Sequence, residues 1–269
     1  MGIRKQRKFE DFDMKNYRML VACPSAGRAT TCTTHRLIDE VVYFVDESEA
    51  DGYMKVWDKV VVLPGGVNVR PNGKCKTLNY VLDNYFDKYD IIYFVDDDLK
   101  KFGRTDFLNK NKGVQANWGE VRNVIFHLKE IADKIGAKIG GFSCLGGIDD
   151  KIQMGGTSNY RLMQKKYIDG KSFIHFADDG IRYDEDLFLK EDICFNCESL
   201  LKNKRNLCAP FVVVNGKALT NKGGVVDVRT QELEIEHARK LIKKVGDMVS
   251  VVHALVVADF RRVNGLHIP

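Results

Sequence analysis

Short apolar runs recur along the chain, and most are followed by small or charged residues. The clearest is Ile91–Val95, whose five apolar residues are too few for a helix but enough for a buried central strand. Both faces of such a strand must be covered by other parts of the fold. The other runs that predict strands are Met19–Cys23, Val41–Val45, Val60–Leu63, Lys138–Ser143, Ser172–Phe176, Phe211–Val214 and Val249–Val257.

Between these runs, apolar residues recur with helical spacing. Leu78, Val81, Leu82 and Tyr85 follow the i, i+3, i+4, i+7 pattern, which predicts a helix that begins near Lys74. Strands that alternate with helices predict an α/β fold, a Rossmann-type, mostly parallel sheet flanked by helices. The remaining helical stripes are Val121, Val124, Ile125, Leu128, Ile131 and Ile135; Ile193, Cys197, Leu200 and Leu201; and Ile235, Ala238, Leu241, Ile242 and Val245.

Several stretches show neither the apolar runs of a strand nor the apolar spacing of a helix. Residues 100–119 are polar and basic, and we expect a flexible segment there. The glycine-rich runs 145–147 and 154–158 are typical of a mobile loop over a site or of a plain connector. Residues 1–18 begin with several basic side chains, which indicates a solvated terminus or an arm that contacts phosphates. Residues 19–269 are predicted to form one domain, with halves at about 19–110 and 111–269.

Composition narrows the class of protein. The 269 residues are 44% apolar and 29% charged, which is typical of a soluble globular chain. No window approaches the length of a membrane span. The seven cysteines are an odd number with no signal peptide ahead of them, so we expect reduced thiols in a cytoplasm. Cys194 and Cys197 have zinc-like spacing, but no second pair completes the set, and a helix core is the simpler interpretation.

Three carboxylates, Asp96, Asp97 and Asp98, directly follow the predicted central strand. Open α/β sheets bind their ligands beyond the carboxyl ends of the strands. Adjacent carboxylates repel one another, and a divalent cation with oxygen ligands relieves that repulsion. The triplet therefore predicts a metal site, with a solvated acidic turn as the alternative.

Two further stretches suit an anionic ligand. Small residues after the first strand, Pro24, Ser25 and Gly27, let backbone N–H groups approach a ligand, and Arg28 adds a charge suited to a diphosphate. The stretch lacks the GxGxxG pattern, which disfavours a nicotinamide enzyme. Gly73 permits a turn, and Lys74 follows it where a helix amino terminus already favours an anion.

The order of these pieces resembles the GT-A class of nucleotide-sugar glycosyltransferases. The matching stretches are Pro24–Arg28, Gly73–Lys74 with Asn79, and the triplet Asp96–Asp98, all within roughly the first hundred residues. The resemblance implies that these residues, with Asp46 at the end of the second strand, bind a nucleoside-diphosphate sugar, most simply a UDP-sugar. The first half of the domain, about 19–110, would then be its donor half and the remainder its acceptor half.

The resemblance also implies roles for individual carboxylates. Asp96 would lie near the donor ribose or the metal, Asp97 would belong to the donor site, and Asp98 would bind Mn²⁺ or Mg²⁺ that bridges the diphosphate. The chemistry is consistent with this, because a departing diphosphate carries growing negative charge that a carboxylate-held metal neutralises.

A second acidic pair, Glu191–Asp192, opens the third predicted helix. Acidic residues in a first helical turn are expected from the helix dipole alone. GT-A enzymes carry such a pair, and the resemblance implies that Asp192 is the general base for an acceptor hydroxyl, with Glu191 beside it. Some members add a late histidine as a metal ligand, although a lone histidine is usually structural. The candidates are His237, His253 and His267.

The acceptor is less clearly encoded than the donor. Among GT-A proteins the chain is similar to bacteriophage enzymes that glycosylate hydroxymethylated pyrimidines in DNA, which implies DNA as a partner and the host cytoplasm as location. Basic residues could hold the phosphates and aromatic ones could stack on a displaced base, or the same residues could form a solvated surface and a core. They are Arg104, Lys110, Lys112, Arg161, Lys165, Lys166, Lys202, Lys204 and Arg205, with Phe102, Phe107, Trp118 and Tyr160.

Three alternatives remain open at this point. The first keeps the same chemistry but exchanges DNA for a glycan or lipid-linked acceptor. The second is a nucleotidyltransferase, disfavoured because the first loop lacks a strongly glycine-rich, basic signature. The third is a DNA-binding module without catalysis, in which the acidic triplet has no chemical role.

Overall fold

A nine-stranded sheet dominates the computed structural model, which describes residues 17–106, 112–143, 162, 164, 168, 170–216, 229–252 and 255–258. The order of its strands is β3-β2-β1-β4-β8-β7-β9-β5-β6, and β10 pairs with β11 separately. In chain order the strands are β1 (Met19–Pro24), β2 (Val41–Asp46), β3 (Val60–Leu63), β4 (Ile91–Val95), β5 (Leu99–Asp106), β6 (Lys112–Ala116), β7 (Ile139–Ser143), β8 (Ser172–His175), β9 (Leu207–Gly216), β10 (Val249–Val252) and β11 (Leu255–Ala258).

Strand direction confirms the predicted α/β architecture. Strands β3, β2, β1 and β4 pair in parallel, and β7 pairs in parallel with β9. Strands β8 and β5 are antiparallel to both of their neighbours, so the sheet is mixed but most strands share one direction. The helices that flank the sheet are α1 (Ala50–Met54), α2 (Gly73–Tyr85), α3 (Trp118–Ile135), α4 (Glu191–Asn203) and α5 (Gln231–Val245).

The sheet separates two apolar cores, and alternate residues of β4 contribute to each. Ile91, Tyr93 and Val95 pack in the core that contains α1 and α3, whereas Ile92 and Phe94 pack in the core that contains α2 and α4. Every residue of β4 is buried. Because successive side chains of a strand point to opposite faces, a continuous apolar run is what a strand covered on both faces requires.

The residues at the two ends of helix α3 explain where the helix begins and ends. Asn117 and Glu120 form a reciprocal capping box, with each side chain bonded to the other residue's backbone N–H at 2.9 Å. At the other end, Gly136 takes the left-handed conformation with φ 76°, which glycine adopts at little cost. The apolar stripe between these ends lies against the sheet.

The prediction of a flexible segment at 100–119 is wrong for most of that stretch. Strands β5 and β6 form an antiparallel hairpin, and β5 also pairs with β9, where Phe102 lies opposite Val214. The pairing partner of β5 comes about a hundred residues later in the chain, so local periodicity carries no sign of it. Residues 107–111 lie outside the described residues.

Two predictions near the carboxyl end also need correction. The single strand expected at Val249–Val257 is two strands, β10 and β11, in which Val252 lies opposite Leu255. In α5 the expected inward stripe is rotated, because Ile235 and Ile242 are each 37% exposed. Ala238, Leu241 and Val245 are buried as predicted, and the polar residue His237 shares their face.

An aromatic cluster between β4, β8 and α4 encloses His175. Its ring contacts Phe94, Phe173 and Phe195, and its Nε2 lies 3.1 Å from the Tyr183 hydroxyl. Burial lowers the pKa of His175 from the usual value near 6.5 to about 3. The folded protein therefore holds this imidazole neutral well into the acid range.

We expect His175 to make stability depend on pH. Below about pH 6 this histidine is protonated in the unfolded chain, but in the folded chain it stays neutral down to about pH 3. The free energy of unfolding therefore falls as pH falls, by at most about 1.4 kcal/mol per pH unit. Urea unfolding at several pH values should show a shallower dependence for His175→Gln. The matched control, His127→Gln, changes a half-exposed histidine that lies beside Glu130 on α3. Equal slopes for wild type and His175→Gln would contradict the assignment.

Candidate functional site

The turn after β4 is bound to the segment after β1 by main-chain and threonine hydrogen bonds. The N–H groups of Thr33 and Thr34 donate to the Asp97 carbonyl at 2.8 and 3.3 Å. The Thr34 hydroxyl donates to the Asp96 carbonyl at 2.6 Å and accepts from the Leu99 N–H at 3.1 Å. These bonds fix the acidic triplet at the carboxyl edge of the parallel strands, where the sequence predicts a ligand site.

Asp97 turns inward and is a buried ion-pair partner. Its Oδ1 lies 2.7 Å from Nη1 of Arg28, and its other oxygen accepts the Ser25 hydroxyl. Burial raises the pKa of Asp97, although the Arg28 charge and the Ser25 hydrogen bond oppose that rise. Asp97 thus links the β1 loop to the turn after β4.

The β1 loop has further supports that the sequence analysis did not identify. The Tyr53 hydroxyl, from α1, lies 2.6 Å from the Ser25 hydroxyl and accepts the Arg28 N–H at 3.1 Å. The Asn68 amide donates to the Ser25 carbonyl at 2.7 Å. Neither Asn68 nor Tyr53 belongs to a recognisable sequence motif. Their role is visible only in the folded loop.

Asp96 faces the opposite way and meets the start of α2. Lys74 Nζ lies 3.3 Å from Asp96 Oδ1 and 3.2 Å from Glu191 Oε1. Burial opposes the charge of Lys74, but the Asp96, Glu191 and Asp192 carboxylates raise its pKa well above the usual value. Burial raises the pKa of Glu191, against the effect of Lys74. One lysine therefore joins the two acidic motifs, which are about ninety residues apart in sequence.

A narrow cleft opens at this lysine, and both halves of the predicted domain contribute to it. Asp192 lies across from Gly170, where an added Cβ would be 2.8 Å from the Asp192 carboxylate. Glycine at this position leaves space for the acidic side chain. The residues that line the cleft are Pro24, Lys74, Leu78, Phe94, Val95, Asp96, Gly170, Phe173, Tyr183, Glu191 and Asp192.

Asn79 supports the cleft wall. Its side chain accepts the Tyr183 N–H at 2.7 Å and donates to the Tyr183 carbonyl at 2.9 Å. Tyr183 in turn stacks on Phe195 with ring centroids 4.3 Å apart. Asn79 thus fixes the segment ahead of the acidic pair, and Tyr183 is a cleft residue that no sequence motif marked.

Gly73, Gly27 and Asp46 lie around the same edge of the sheet. A Cβ at Gly73 would come within 2.6 Å of the Asn68 backbone, so the residue allows α2 to start close to that loop. Gly27 has φ 70° and lies against Arg70, and its N–H donates to Glu49 at 2.7 Å. Asp46 accepts the N–H groups of Ser48 and Gly66 at 3.1 and 3.2 Å.

Asp98 is buried near the end of β9. A Cβ at Gly216 would lie 3.0 Å from Asp98 Oδ1, and Arg28 Nη1 is 3.8 Å from Asp98 Oδ2. No three His, Cys, Asp or Glu side chains converge on one point within the described residues. Magnesium that arrives with a nucleotide uses one or two carboxylates, the phosphates and water, and the carboxylate oxygens of Asp96 and Asp98 are donors of that kind.

The other candidate metal ligands that the structure describes are buried. His237 is buried, contacts the Phe188 ring at 4.5 Å, and its Nδ1 accepts the Leu189 N–H at 3.4 Å. His253 and His267 lie outside the described residues. Cys194 and Cys197 are buried in an apolar cluster with α5, and burial raises the pKa of each to about 12.

Two of the four aromatic residues proposed to stack on a base, Phe102 and Trp118, belong to the core. Phe102 is buried, and Trp118 stacks parallel to Tyr93 with ring centroids 5.9 Å apart. Among the basic candidates, Arg104 pairs with Glu120, while Lys202, Lys204 and Arg205 donate to backbone carbonyls. The residues of this set outside the described side chains are Phe107, Lys110, Lys112, Tyr160, Arg161, Lys165 and Lys166.

Comparisons with known proteins give structural neighbours but no family. No family model matches the sequence. No curated protein matches it either. TarS from S. aureus in complex with UDP aligns at 12% identity and TM-score 0.45, covering 84% of this chain and 66% of TarS. The chain therefore spans just under two thirds of the TarS chain it matches.

Two further solved structures align over more of their own length. Glucosyl-3-phosphoglycerate synthase from Mycobacterium tuberculosis, bound to Mn²⁺, UDP-glucose and phosphoglyceric acid, has 12% identity and TM-score 0.46, covering 88% of this chain and 83% of the synthase. A mycobacterial protein has 13% identity and TM-score 0.44, with coverages of 93% and 89%. At these identities and TM-scores the likeness does not assign this chain to a family.

In the part of the chain that the structure describes, no helix combines the length and apolar character needed to span a bilayer.

The unequal surroundings of the triplet predict unequal effects of mutation. Asp97→Asn leaves the largely buried Arg28 charge without its closest partner, and we expect a loss of about 3 kcal/mol in the free energy of unfolding. Asp96→Asn, at a side chain that is 30% exposed, should cost less than about 1 kcal/mol. Urea unfolding of both variants measures the difference. Similar losses for the two variants would show that Asp96 and Asp97 are equivalent.

Proposed function

We propose that the protein is a glycosyltransferase that uses a nucleoside-diphosphate sugar, most simply a UDP-sugar, as donor. The observation that carries the proposal is the cleft in which Asp96 and Lys74 meet Glu191 and Asp192. A sugar-transfer site needs a place for an anionic leaving group beside a carboxylate that can accept a proton. This cleft has both kinds of group: Lys74 Nζ, which lies 3.2 Å from Glu191 Oε1, and the Asp192 carboxylate.

In this proposal the donor diphosphate binds at the carboxyl edge of β1 and β4. Lys74 at the start of α2 provides a cationic Nζ and Arg28 provides a guanidinium beside the triplet, so both favour an anion. Ser25 and Gly27 belong to the loop that Arg28 and Tyr53 hold against β4. Asp46, Gly73 and Asn79 shape the surrounding loops and the cleft wall.

Asp96 and Asp98 are the residues that would hold a divalent metal together with the diphosphate. When bound, Mn²⁺ or Mg²⁺ supplies positive charge that offsets the charge growing on the departing diphosphate. Asp97 differs from them, because its carboxylate already bonds to Arg28 and Ser25. Its contribution is to orient the turn that carries the other two.

Asp192 is the general base in this proposal. The acceptor hydroxyl oxygen attacks the anomeric carbon, the bond from that carbon to the diphosphate oxygen breaks, and the hydroxyl proton moves to an Asp192 carboxylate oxygen. The Ile193 N–H donates to Asp192 Oδ1 at 2.8 Å and helps to fix the side chain. Glu191 stays paired with Lys74 and stabilises the lysine charge next to the leaving group.

Asp192→Asn should lower the turnover number by at least about a hundredfold, since it removes the proton acceptor. Donor affinity should change less than about threefold, because Lys74 and Asp96 remain. The assay follows UDP release from a panel of UDP-sugars with Mn²⁺, and calorimetric titration with UDP gives the affinity. Asp186→Asn, an exposed carboxylate ahead of α4, is the matched control. Full activity in Asp192→Asn would remove the residue from the mechanism.

The acceptor that we propose is a hydroxymethylated pyrimidine in DNA. The support is the mild positive charge, +5 overall, and the basic residues that follow the donor motifs. Phe102 and Trp118 pack in the core and do not contribute to base stacking. A glycan or lipid-linked hydroxyl is the second candidate, because the same cleft would serve any acceptor alcohol.

A transfer assay separates these acceptors. With labelled UDP-sugar and Mn²⁺, we expect label in hydroxymethylated duplex DNA and none in the unmodified duplex of the same sequence. DNA affinity, measured by gel shift, should fall steeply between about 50 and 200 mM salt, because binding releases counterions from phosphates. Label only in glycan or lipid-linked acceptors would replace DNA with the second candidate. Pyrophosphate release from a nucleoside triphosphate would instead indicate a nucleotidyltransferase.

A further inference from the structure

Helix α5 lies against the segment that presents the acidic pair. One face of the helix carries Glu234, His237, Leu241 and Lys244, spaced three or four residues apart, so they lie along a single stripe. The mechanism proposed above uses none of these four residues. Three of them are polar: His237 is buried, and the Glu234 and Lys244 side chains are 16% and 35% exposed, so they call for specific partners.

The partners of this stripe all lie within residues 184–198. Lys190 Nζ forms an ion pair with Glu234, and the Leu189 N–H donates to His237 Nδ1 at 3.4 Å. Lys244 Nζ lies 2.6 Å from Asp184 and 3.0 Å from Glu198. Helix α5 therefore contacts the chain on both sides of the first turn of α4, the turn that begins with Glu191 and Asp192.

The Lys190–Glu234 pair is the most buried of these contacts. The Lys190 side chain is 8% exposed and the Glu234 side chain is 16% exposed. A charged lysine so far from water needs a counter-ion, and Glu234 also pairs with Arg229. Although burial opposes it, the charges and hydrogen bonds of Lys190 and Arg229 lower the pKa of Glu234, so the glutamate is ionised at neutral pH.

Lys190 is also the residue that caps α4. It has φ −136° and ψ 22°, its side chain makes no capping bond, and its carbonyl accepts the Cys194 N–H at 2.9 Å. The backbone of the cap determines how the first helical turn leaves it. Anchoring the Lys190 side chain on α5 therefore sets the direction in which Glu191 and Asp192 enter the cleft.

We propose that Glu234 is a positioning residue that, by binding Lys190, holds the Glu191–Asp192 pair in the cleft. The catalytic consequence of this inference rests on the proposed function, whereas the placement of the acidic pair by Glu234 does not. Glu234 does not line the cleft, so its effect on chemistry must pass through Lys190 and the start of α4.

The test compares Glu234→Gln with Glu236→Gln, which breaks only an exposed pair with Lys240 on the same helix. Hydrogen–deuterium exchange, with fragments that cover residues 189–195 and 73–85, reports on the first turn of α4 and on α2. We expect exchange in 189–195 to accelerate at least tenfold in Glu234→Gln, while 73–85 and the control variant keep wild-type rates. Unchanged exchange in 189–195 would overturn the proposal.

Kinetics then test the catalytic consequence. In Glu234→Gln we expect kcat for sugar transfer to fall at least tenfold while the Kd for UDP stays within twofold. A merely structural role would reduce UDP affinity and kcat together, and that result overturns the positioning role. The charge-reversed pair Lys190→Glu with Glu234→Lys should recover both slow exchange and kcat if the ion pair is what matters.

The two proposals fail in distinguishable ways. A wild-type protein with no activity on any sugar nucleotide defeats the proposed function, and the exchange rates of residues 189–195 still decide whether Glu234 holds the acidic pair. A wild-type enzyme whose Glu234→Gln variant exchanges and turns over normally defeats only the positioning role.

Discussion

Burial of the Asp97 carboxylate under the strand ends is the constraint on which the rest of the site depends. A carboxylate removed from water requires a cation and hydrogen-bond donors, and Arg28 and Ser25 of the β1 loop supply them. The same requirement fixes how the three aspartates divide. With Asp97 committed inward, Asp96 meets Lys74 at the cleft and Asp98 lies by the end of β9. A structural ion pair thus sets the directions of the other two carboxylates of the triplet.

Charge compensation continues from this pair across the whole edge of the sheet. Lys74 satisfies one carboxylate from each acidic motif, and Lys190 is satisfied in turn by α5. Each cation is therefore held between elements that are distant in sequence. The site is built from successive ion pairs in partly buried surroundings, where charges interact more strongly than at the surface. The apolar cores supply the stability, and the ion pairs supply the relative orientation of the elements.

Sequence predicted the first four strands almost to the residue, because runs such as Ile91–Val95 are apolar for a reason that is local, namely burial on both faces. It also marked Lys74, Asp96, Glu191 and Asp192, which meet in the cleft, but not Tyr183. It could not assign separate surroundings to Asp96, Asp97 and Asp98, since identical side chains differ only through the turn that orients them. The face of α5 was misassigned because Glu234 and His237 point inward toward partners that only the tertiary structure supplies.

The place of β9 in the sheet has a consequence for how the chain is made. Strand β5 follows β4 almost immediately in sequence, yet β8, β7 and β9 all lie between them in the sheet. On a ribosome, β5 and β6 emerge long before Leu207–Gly216, the strand that joins them to the rest of the sheet among the described residues. During that interval the nascent hairpin has an open edge, and closing the sheet requires contacts across about a hundred residues, which slows folding and favours chaperone engagement.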